Sequence, residues 1–484
     1  MRIWNLPFSL CSTVGVLLLA SISGIFVIEG ASDPKPADLE TGLQTRVSAQ
    51  LPEAPPNLGP DDRFKADILL IVPHPDDESA TSGYLARAIY DEHKRVSVLF
   101  TTRSEGGGNA VGLEQGTALG AVREIEARQA LASLGVMNVW FLYGRDNAGQ
   151  DVFFSLENGN HGALLEKTIR FVRLTRPEVI LTWIPDYVAG ENHGDHQAAG
   201  VIATEAFDLA GDPTAFPEQL SAPRDPEGIN NMVEGLRPWQ PKKIYYFSDT
   251  YTSHTDFLKG KGPQYSTIDI SPTRQTSYAR LAAEAEAFHS TQEGEEFKKA
   301  LAKGDIKSFQ EPVRFVFGKS LVKSSSTGDI FEGIRPGPIP FASIPGYQSE
   351  SRQGLWIELG GPWALYRVFW KAHNIGHLSG LLQQPEVSVR PGETMHLPLL
   401  IHNDTGTQAQ VPLTITLPQG WKVLSGEARY TVAAHDIYPV QTVLVAPGVR
   451  NDMPQEVTWK AEANGRTLGA VTIRVYVIDD AMPQ

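Results

Sequence analysis

A chain of 484 residues exceeds one ordinary domain, so two or more folding units are expected. Its 42 basic and 56 acidic side chains leave a net charge of −14, which repels phosphate backbones and argues against nucleic acid as a partner. Hydrophobic residues make up 41% of the chain, and the single cysteine, Cys11, lies in the first apolar run; disulfide frameworks and thiolate metal sites are therefore excluded, and any metal falls to His, Asp or Glu.

Residues 1–30 read as a signal peptide or an N-terminal membrane anchor. Arg2 supplies the positive start, Leu6 to Ile28 carries no charge, and small residues at Gly30-Ala31 offer a cleavage point. The segment places the rest of the chain outside the cytoplasm: periplasmic, secreted, or anchored to the outer face of the cytoplasmic membrane. Residues 31–62, rich in Pro, Asp and Glu, read as a linker.

Residues 63–322 form the first expected domain. Asp67 to Pro73 is a nearly continuous apolar run, as in a strand buried on both faces. Helical spacing follows at Thr81 to Asp91, a second strand at Arg95 to Phe100, and a helix at Ala121 to Leu134 that stops at Gly135. Val139 to Tyr143 and Glu178 to Trp183 are further strands, separated by a helix at Leu164 to Leu174 and followed by one at Asp195 to Leu209. Lys243 to Phe247 adds a strand and Tyr278 to Phe288 a helix. This alternation predicts an α/β fold: a Rossmann-like, mostly parallel sheet with helices on both faces. Residues 323–384 are loop-like and aromatic, a connecting segment. Residues 385–480 show short alternating runs separated by turns such as Pro391-Gly392 and Asn464-Gly465. They predict an all-β immunoglobulin-like sandwich of about seven strands. Within it Trp421 and Trp459 are expected in the core, and His396, His402 and His435 on the surface.

Two constellations carry chemistry. His74-Pro-Asp-Asp-Glu78 directly follows the first buried strand. In an open α/β sheet ligands bind beyond the carboxyl ends of strands, and adjacent carboxylates at such a spot repel unless a cation relieves them. His193-Gly-Asp-His196 follows the fourth strand and reaches the same sheet edge as a helix begins. Together the motifs can give a His-Asp-His metal site with an open position for water. That N/O donor set suits Zn2+, and Fe2+ or another divalent ion also fits.

These motifs resemble the LmbE-like, PIG-L type deacetylases, over a stretch from about Asp67 to Gln292. The resemblance implies that His74, Asp77 and His196 ligate zinc, that Asp76 is the general base, and that His193 stabilises or protonates the collapsing intermediate. Asp195 would orient a His ring from behind the ligands, or cap the helix. Glu105-Gly-Gly-Gly-Asn109 resembles the family's glycine-rich loop. Arg123 and Asp146 match positions that would contact substrate, and His289-Ser-Thr-Gln292 resembles a late segment that supports the site. One position departs: where well-known members carry a Tyr two residues before the first His of the second motif, this chain has Glu191, and nearby Tyr187 has no evident claim to replace it.

The expectation is thus an exported, metal-dependent N-deacetylase acting on the linear amide of an amino sugar or glycoconjugate. Its rivals are a zinc amidase for a non-sugar amide and a non-catalytic carbohydrate-binding protein on the same fold.

Overall fold

The structure, a computed structural model, describes residues 51–54, 58–185, 193–220, 235–248, 260–341, 354–360, 363–364, 375, 385–463 and 466–479. The expected export segment, most of the linker, Tyr187, Glu191 and the Asn464-Gly465 turn lie outside them. Among the described residues no helix is long and apolar enough to cross a membrane.

The first unit alternates as the sequence predicts. In chain order it runs β1 (Ile68–Val72), α1 (Ser79–Tyr90), β2 (Val96–Phe100), α2 (Thr117–Ser133), β3 (Asn138–Phe141), α3 (Val152–Asn158), α4 (His161–Thr175), β4 (Val179–Trp183), α5 (Gly194–Leu209) and β5 (Lys243–Phe247). A second stretch adds β6 (Gln264–Tyr265), α6 (Tyr278–Glu286), α7 (Gly294–Ala302), β7 (Val313–Arg314) and β8 (Val316–Ser320). The main sheet has the order β3-β2-β1-β4-β5-β8, parallel except for the β5–β8 pair. Strand β1 shows why its run is apolar throughout. Ile68, Leu70 and Val72 enter the core on one face, while Leu69 and Ile71 enter the core on the other. Helix α3, the β6–β7 ribbon and edge strand β8 add to the elements read from sequence; their runs are too short to carry a periodic signal.

The strand order reverses at β1. Strands β2 and β3 lie to one side of it, and β4 and β5 to the other. The crevice beyond the carboxyl ends of β1 and β4 is therefore the switch point where an open sheet offers a ligand site. Both chemical motifs emerge there.

Among the described residues the second unit is a two-sheet sandwich of nine strands, against about seven expected: β9 (Leu355–Leu359), β10 (Glu386–Val389), β11 (Thr394–Asn403), β12 (Ala409–Thr416), β13 (Lys422–Ser425), β14 (Ala428–Val432), β15 (Asp436–Val445), β16 (Asn451–Ala463) and β17 (Arg466–Val477). One sheet has the order β10-β17-β16-β12-β14, the other β13-β15-β11-β9. Alternate residues such as Leu397, Leu399 and Ile401 on β11, and Val457, Trp459 and Ala461 on β16, fill the space between the sheets. Trp421 and Trp459 are core residues, as expected.

Strand β13 is an addition to the expected runs, and two linked features also differ from the sequence reading. Strand β9 comes from the segment expected only to connect the units, and it pairs antiparallel with β11. His402, expected on the surface, is buried: it stacks on Trp356 of β9, with ring centroids 3.6 Å apart, and its Nε2 lies 2.8 Å from a Glu358 oxygen. The two differences are one fact, because β9 is what covers His402. Pro52 and Ala54 also bond to Arg429 on β14, so the end of the expected linker runs along a sandwich edge.

The units meet through Leu174, Leu220, Leu236, Ala364, Leu400 and Ile437, with Phe64, Trp140 and Phe171 packed around them. Phe64 precedes β1 and Leu174 lies at the end of α4, so the sandwich docks near the amino edge of the sheet. The carboxyl ends of β1 and β4, where the two motifs emerge, lie at the opposite edge.

Candidate active site and cation cluster

The turn after β1 and the start of α5 bring His74, Asp77, His193 and His196 together. His74 is clamped from behind: its Nε2 lies 3.1 Å from Asp146 Oδ1 and 3.4 Å from Asp195 Oδ2. Facing two carboxylates, Nε2 carries a ring proton, so in the neutral ring it is Nδ1 that holds the lone pair. That lone pair points toward Asp77 Oδ2 at 3.4 Å, while His196 Nε2 lies 3.0 Å from Asp77 Oδ1. Nitrogens of two imidazoles and the oxygens of one carboxylate thus converge in a buried place, a donor set that a divalent cation could take once it displaces the ring protons between them. His196 is fixed further by Trp183, the last residue of β4, stacked at 4.0 Å and 3°.

The electrostatics agree. Burial alone would lower His74, but the carboxylates of Asp77, Asp146 and Asp195 hold it well above the ordinary histidine range. Burial alone would raise Asp77 and Asp195, yet His196 and His74 hold Asp77, and His74 holds Asp195, below the usual carboxylate range. The field at this point favours positive charge, whether a proton or a metal ion.

The ring nitrogens of His74, His193 and His196 also lie within 4.8 Å of one another, so His193 competes as a ligand on distance alone. Its tautomer decides otherwise. His193 is the N-cap of α5, and its Nδ1 accepts the Asp195 N–H at 3.3 Å. Burial and the neighbouring imidazoles push it down to about 4, so the ring is neutral at pH 7 and its proton sits on Nε2. His193 is therefore a hydrogen-bond donor beside the cluster, with no lone pair left on Nε2 to ligate.

Asp76 occupies the sharpest backbone position of the turn, with φ of 105°, a conformation that costs a non-glycine residue of order 1–3 kcal/mol. Burial, and then the charge of Asp77, pushes it up to about 8. A cation held by the neighbouring ligands acts in the opposite direction and favours the carboxylate. Gln292 donates to Asp76 Oδ2, and Glu78 Oε2 accepts the Asp76 N–H at 3.0 Å.

Asp195 faces the His74 ring and also accepts from the Asn147 backbone N–H at 2.8 Å; the helix cap expected of it as an alternative falls instead to His193, because α5 already begins at Gly194. Asp146, expected at the substrate, lies against the cation cluster. One oxygen bonds to His74 and the other accepts the Gly106 N–H at 2.7 Å, which ties the glycine-rich loop to the cluster. Arg123 is buried, and its guanidinium donates to the Ser104 carbonyl (2.9 Å) and the Gly108 carbonyl (2.6 Å). It braces the loop from beneath. A Cβ at Gly107 would lie 2.5 Å from Arg123 Nη1, so a side chain there would push the guanidinium off the loop carbonyls it holds. The clamp by Asp146, the stack of Trp183 and the contacts of Glu78 were not read from the motifs.

A family model described as GlcNAc-PI de-N-acetylase, PIG-L, matches residues 69–207. The chain is 33% identical over 194 residues to the 1D-myo-inositol 2-acetamido-2-deoxy-alpha-D-glucopyranoside deacetylase of Streptomyces scabiei, covering 36% of this chain and 58% of that one. It is 31% identical over 166 residues to the enzyme of the same name from Geodermatophilus obscurus, covering 31% of this chain and 56% of that one. The chain thus spans less than two thirds of these relatives' lengths. Among solved structures, the N,N'-diacetylchitobiose deacetylase from Pyrococcus horikoshii aligns with 52% of this chain and 84% of its own, at 21% identity and a TM-score of 0.33.

Proposed function

We propose, from a chain whose residues 69–207 match the PIG-L family model, that this protein is a metal-dependent hydrolase that removes the N-acetyl group from an N-acetylated amino sugar or glycoconjugate. The observation that carries the proposal is the convergence of His74 Nδ1, Asp77 and His196 Nε2, with Asp76 and the donor His193 beside them. The relatives' names as deacetylases of an acetamido sugar supply the substrate class.

In this reading His74, Asp77 and His196 hold the cation, with Zn2+ the ion that best suits two imidazoles and a carboxylate. When bound, such an ion would acidify a water, bringing its pKa down to about 7, and polarise a carbonyl. Asp76 takes the proton as water adds to the acyl carbon. The Nε2–H of His193 donates to the oxygen that gains charge, a preorganised contact in a water-poor site. Cleavage of the C–N bond follows as Asp76 delivers the proton it took from water to the nitrogen, and acetate and free amine leave. Asp146 and Asp195 keep the His74 lone pair aimed. Arg123 shapes the glycine-rich loop against which substrate rests, and Asp146 retains lone pairs for a sugar hydroxyl. The reading also includes export through residues 1–30, cleaved or kept as an anchor, with an immunoglobulin-like accessory sandwich.

The test is acetate release by zinc-loaded protein from N-acetylglucosamine, its inositol and oligosaccharide conjugates, and N-acetyl peptides. Release from one or more sugars and from no peptide is the expected result. Release from peptides alone transfers the protein to the amidase class. Release from none of them overturns the proposal.

A further inference from the structure

The turn that follows α6 makes an unusual set of contacts for a segment some 200 residues from the first motif. His289 is fully buried, and its Nε2 lies 2.9 Å from Glu78 Oε1. The other oxygen of Glu78 accepts the Asp76 N–H at 3.0 Å, so His289 braces the Asp76 backbone through one carboxylate. Gln292 donates from Nε2 to Asp76 Oδ2 and to the Pro75 carbonyl, the latter at 2.9 Å. Both partners accept, so the amide nitrogen, not its oxygen, faces them. Between these residues, the Thr291 N–H and hydroxyl both donate to Glu126 on α2, at 2.9 and 2.6 Å. The Thr291 carbonyl accepts the Ala110 N–H at 2.9 Å, at the far end of the glycine-rich loop. The turn is locked on itself, with the Gln292 and Gly294 N–H groups both on the His289 carbonyl. A Cβ at Gly294 would come within 2.6 Å of His289 backbone carbon.

We propose that His289 and Gln292 are positioning residues for the base Asp76, and that one turn braces both this base and the glycine-rich loop. The inference rests on the functional reading above, in which Asp76 is the base. Asp76 sits at φ of 105°, a conformation that persists only where its surroundings determine it. The Glu78 bond fixes its backbone, and the Gln292 bond fixes one carboxylate oxygen and leaves the other to meet the water. Neither residue touches the cation cluster of His74, Asp77 and His196. Their loss should therefore lower turnover and spare metal binding. A buried Glu78 deprived of His289 would turn to other partners and release the Asp76 N–H.

The test uses the full zinc-loaded chain with three variants, His289→Leu, His289→Gln and Gln292→Leu. Bound zinc, kcat, KM and hydrogen exchange of the peptide spanning residues 74–78 are measured for each. Leu at either position should lower kcat by about 10–100-fold, the range of lost outer contacts at such sites, with KM and zinc content unchanged. The same variants should speed exchange in 74–78. His289→Gln keeps an N–H donor toward Glu78 and should recover most of both losses. Loss of zinc or of folding with kcat per bound zinc unchanged would show a merely structural turn and overturn the proposal. So would a rise in KM alone, which marks a substrate contact. If the parent chain releases no acetate, the functional reading fails by itself. Exchange then decides the positioning: faster in both Leu variants and restored by Gln supports it, and unchanged exchange overturns it.

Discussion

The paired carboxylates behind His74 lead to a quantitative expectation. His74 Nε2 has one proton and two acceptors, Asp146 Oδ1 at 3.1 Å and Asp195 Oδ2 at 3.4 Å. Removing either negative charge leaves the other to hold the ring, so Asp146→Asn and Asp195→Asn should each be mild. Asp146→Asn should be the worse of the two, because its bond is shorter and its second oxygen anchors Gly106. The double variant leaves the ring with no anionic partner and should show the full effect of losing the contacts behind a ligand. With each single change costing about threefold in zinc affinity and the pair about 100-fold, the excess over the product is about tenfold, or ~1.4 kcal/mol of coupling. The assay is competition for zinc against a chromophoric chelator at fixed pH, with thermal unfolding as a check on the fold. A double variant equal to the product of the singles would refute the shared clamp. A double variant with parental affinity would refute any role for these carboxylates in aiming His74.

Three other outcomes follow from the same geometry. His193→Ala should lower kcat while zinc content stays at the parental level. It should also cost about 1 kcal/mol of stability through loss of the α5 cap, measurable by urea unfolding. Zinc removal by a chelator should lower the unfolding temperature, because the ion binds only the folded site; at 100 times its Kd it contributes about 2.7 kcal/mol. Burial alone would lower His289, but Glu78 and then Glu286 raise it from 6.5 to about 10. The folded chain therefore keeps this proton where the unfolded chain has lost it. The stabilisation is complete below about pH 6.5 and disappears as pH rises toward 10. Unfolding midpoints across that window should fall for the parent chain and fall less steeply for His289→Leu.

The core of the site was legible in the sequence for a physical reason. His74-Pro-Asp-Asp-Glu78 and His193-Gly-Asp-His196 each sit directly after a strand whose apolar run is unmistakable, and parallel strands send both motifs to one edge. What local pattern cannot show is which distant group a buried polar atom selects. The bond of His289 to Glu78 and that of Asp146 to His74 join residues far apart in the chain, and no spacing rule encodes them. The sequence pattern suggests Asp146 as a sugar contact, whereas its partners in the structure are the His74 ring and a loop amide. The same limit explains His402: its burial depends on β9, whose Leu-Trp-Ile-Glu-Leu run is five residues long and sits in an aromatic, glycine-rich stretch with no clear alternation. Trp183 was visible as a strand residue, and its stacking on His196 follows only once β4 and α5 are placed together.

The central claim is that Asp76 performs chemistry at a cation that its neighbours hold. The most direct measurement pairs zinc content with acetate release for Asp76→Ala and Asp77→Ala. The account predicts that Asp76→Ala keeps its zinc and loses acetate release by about 10²–10⁴-fold, the usual contribution of a general base, whereas Asp77→Ala loses both. Undiminished acetate release by Asp76→Ala, or full zinc retention by Asp77→Ala, would contradict it.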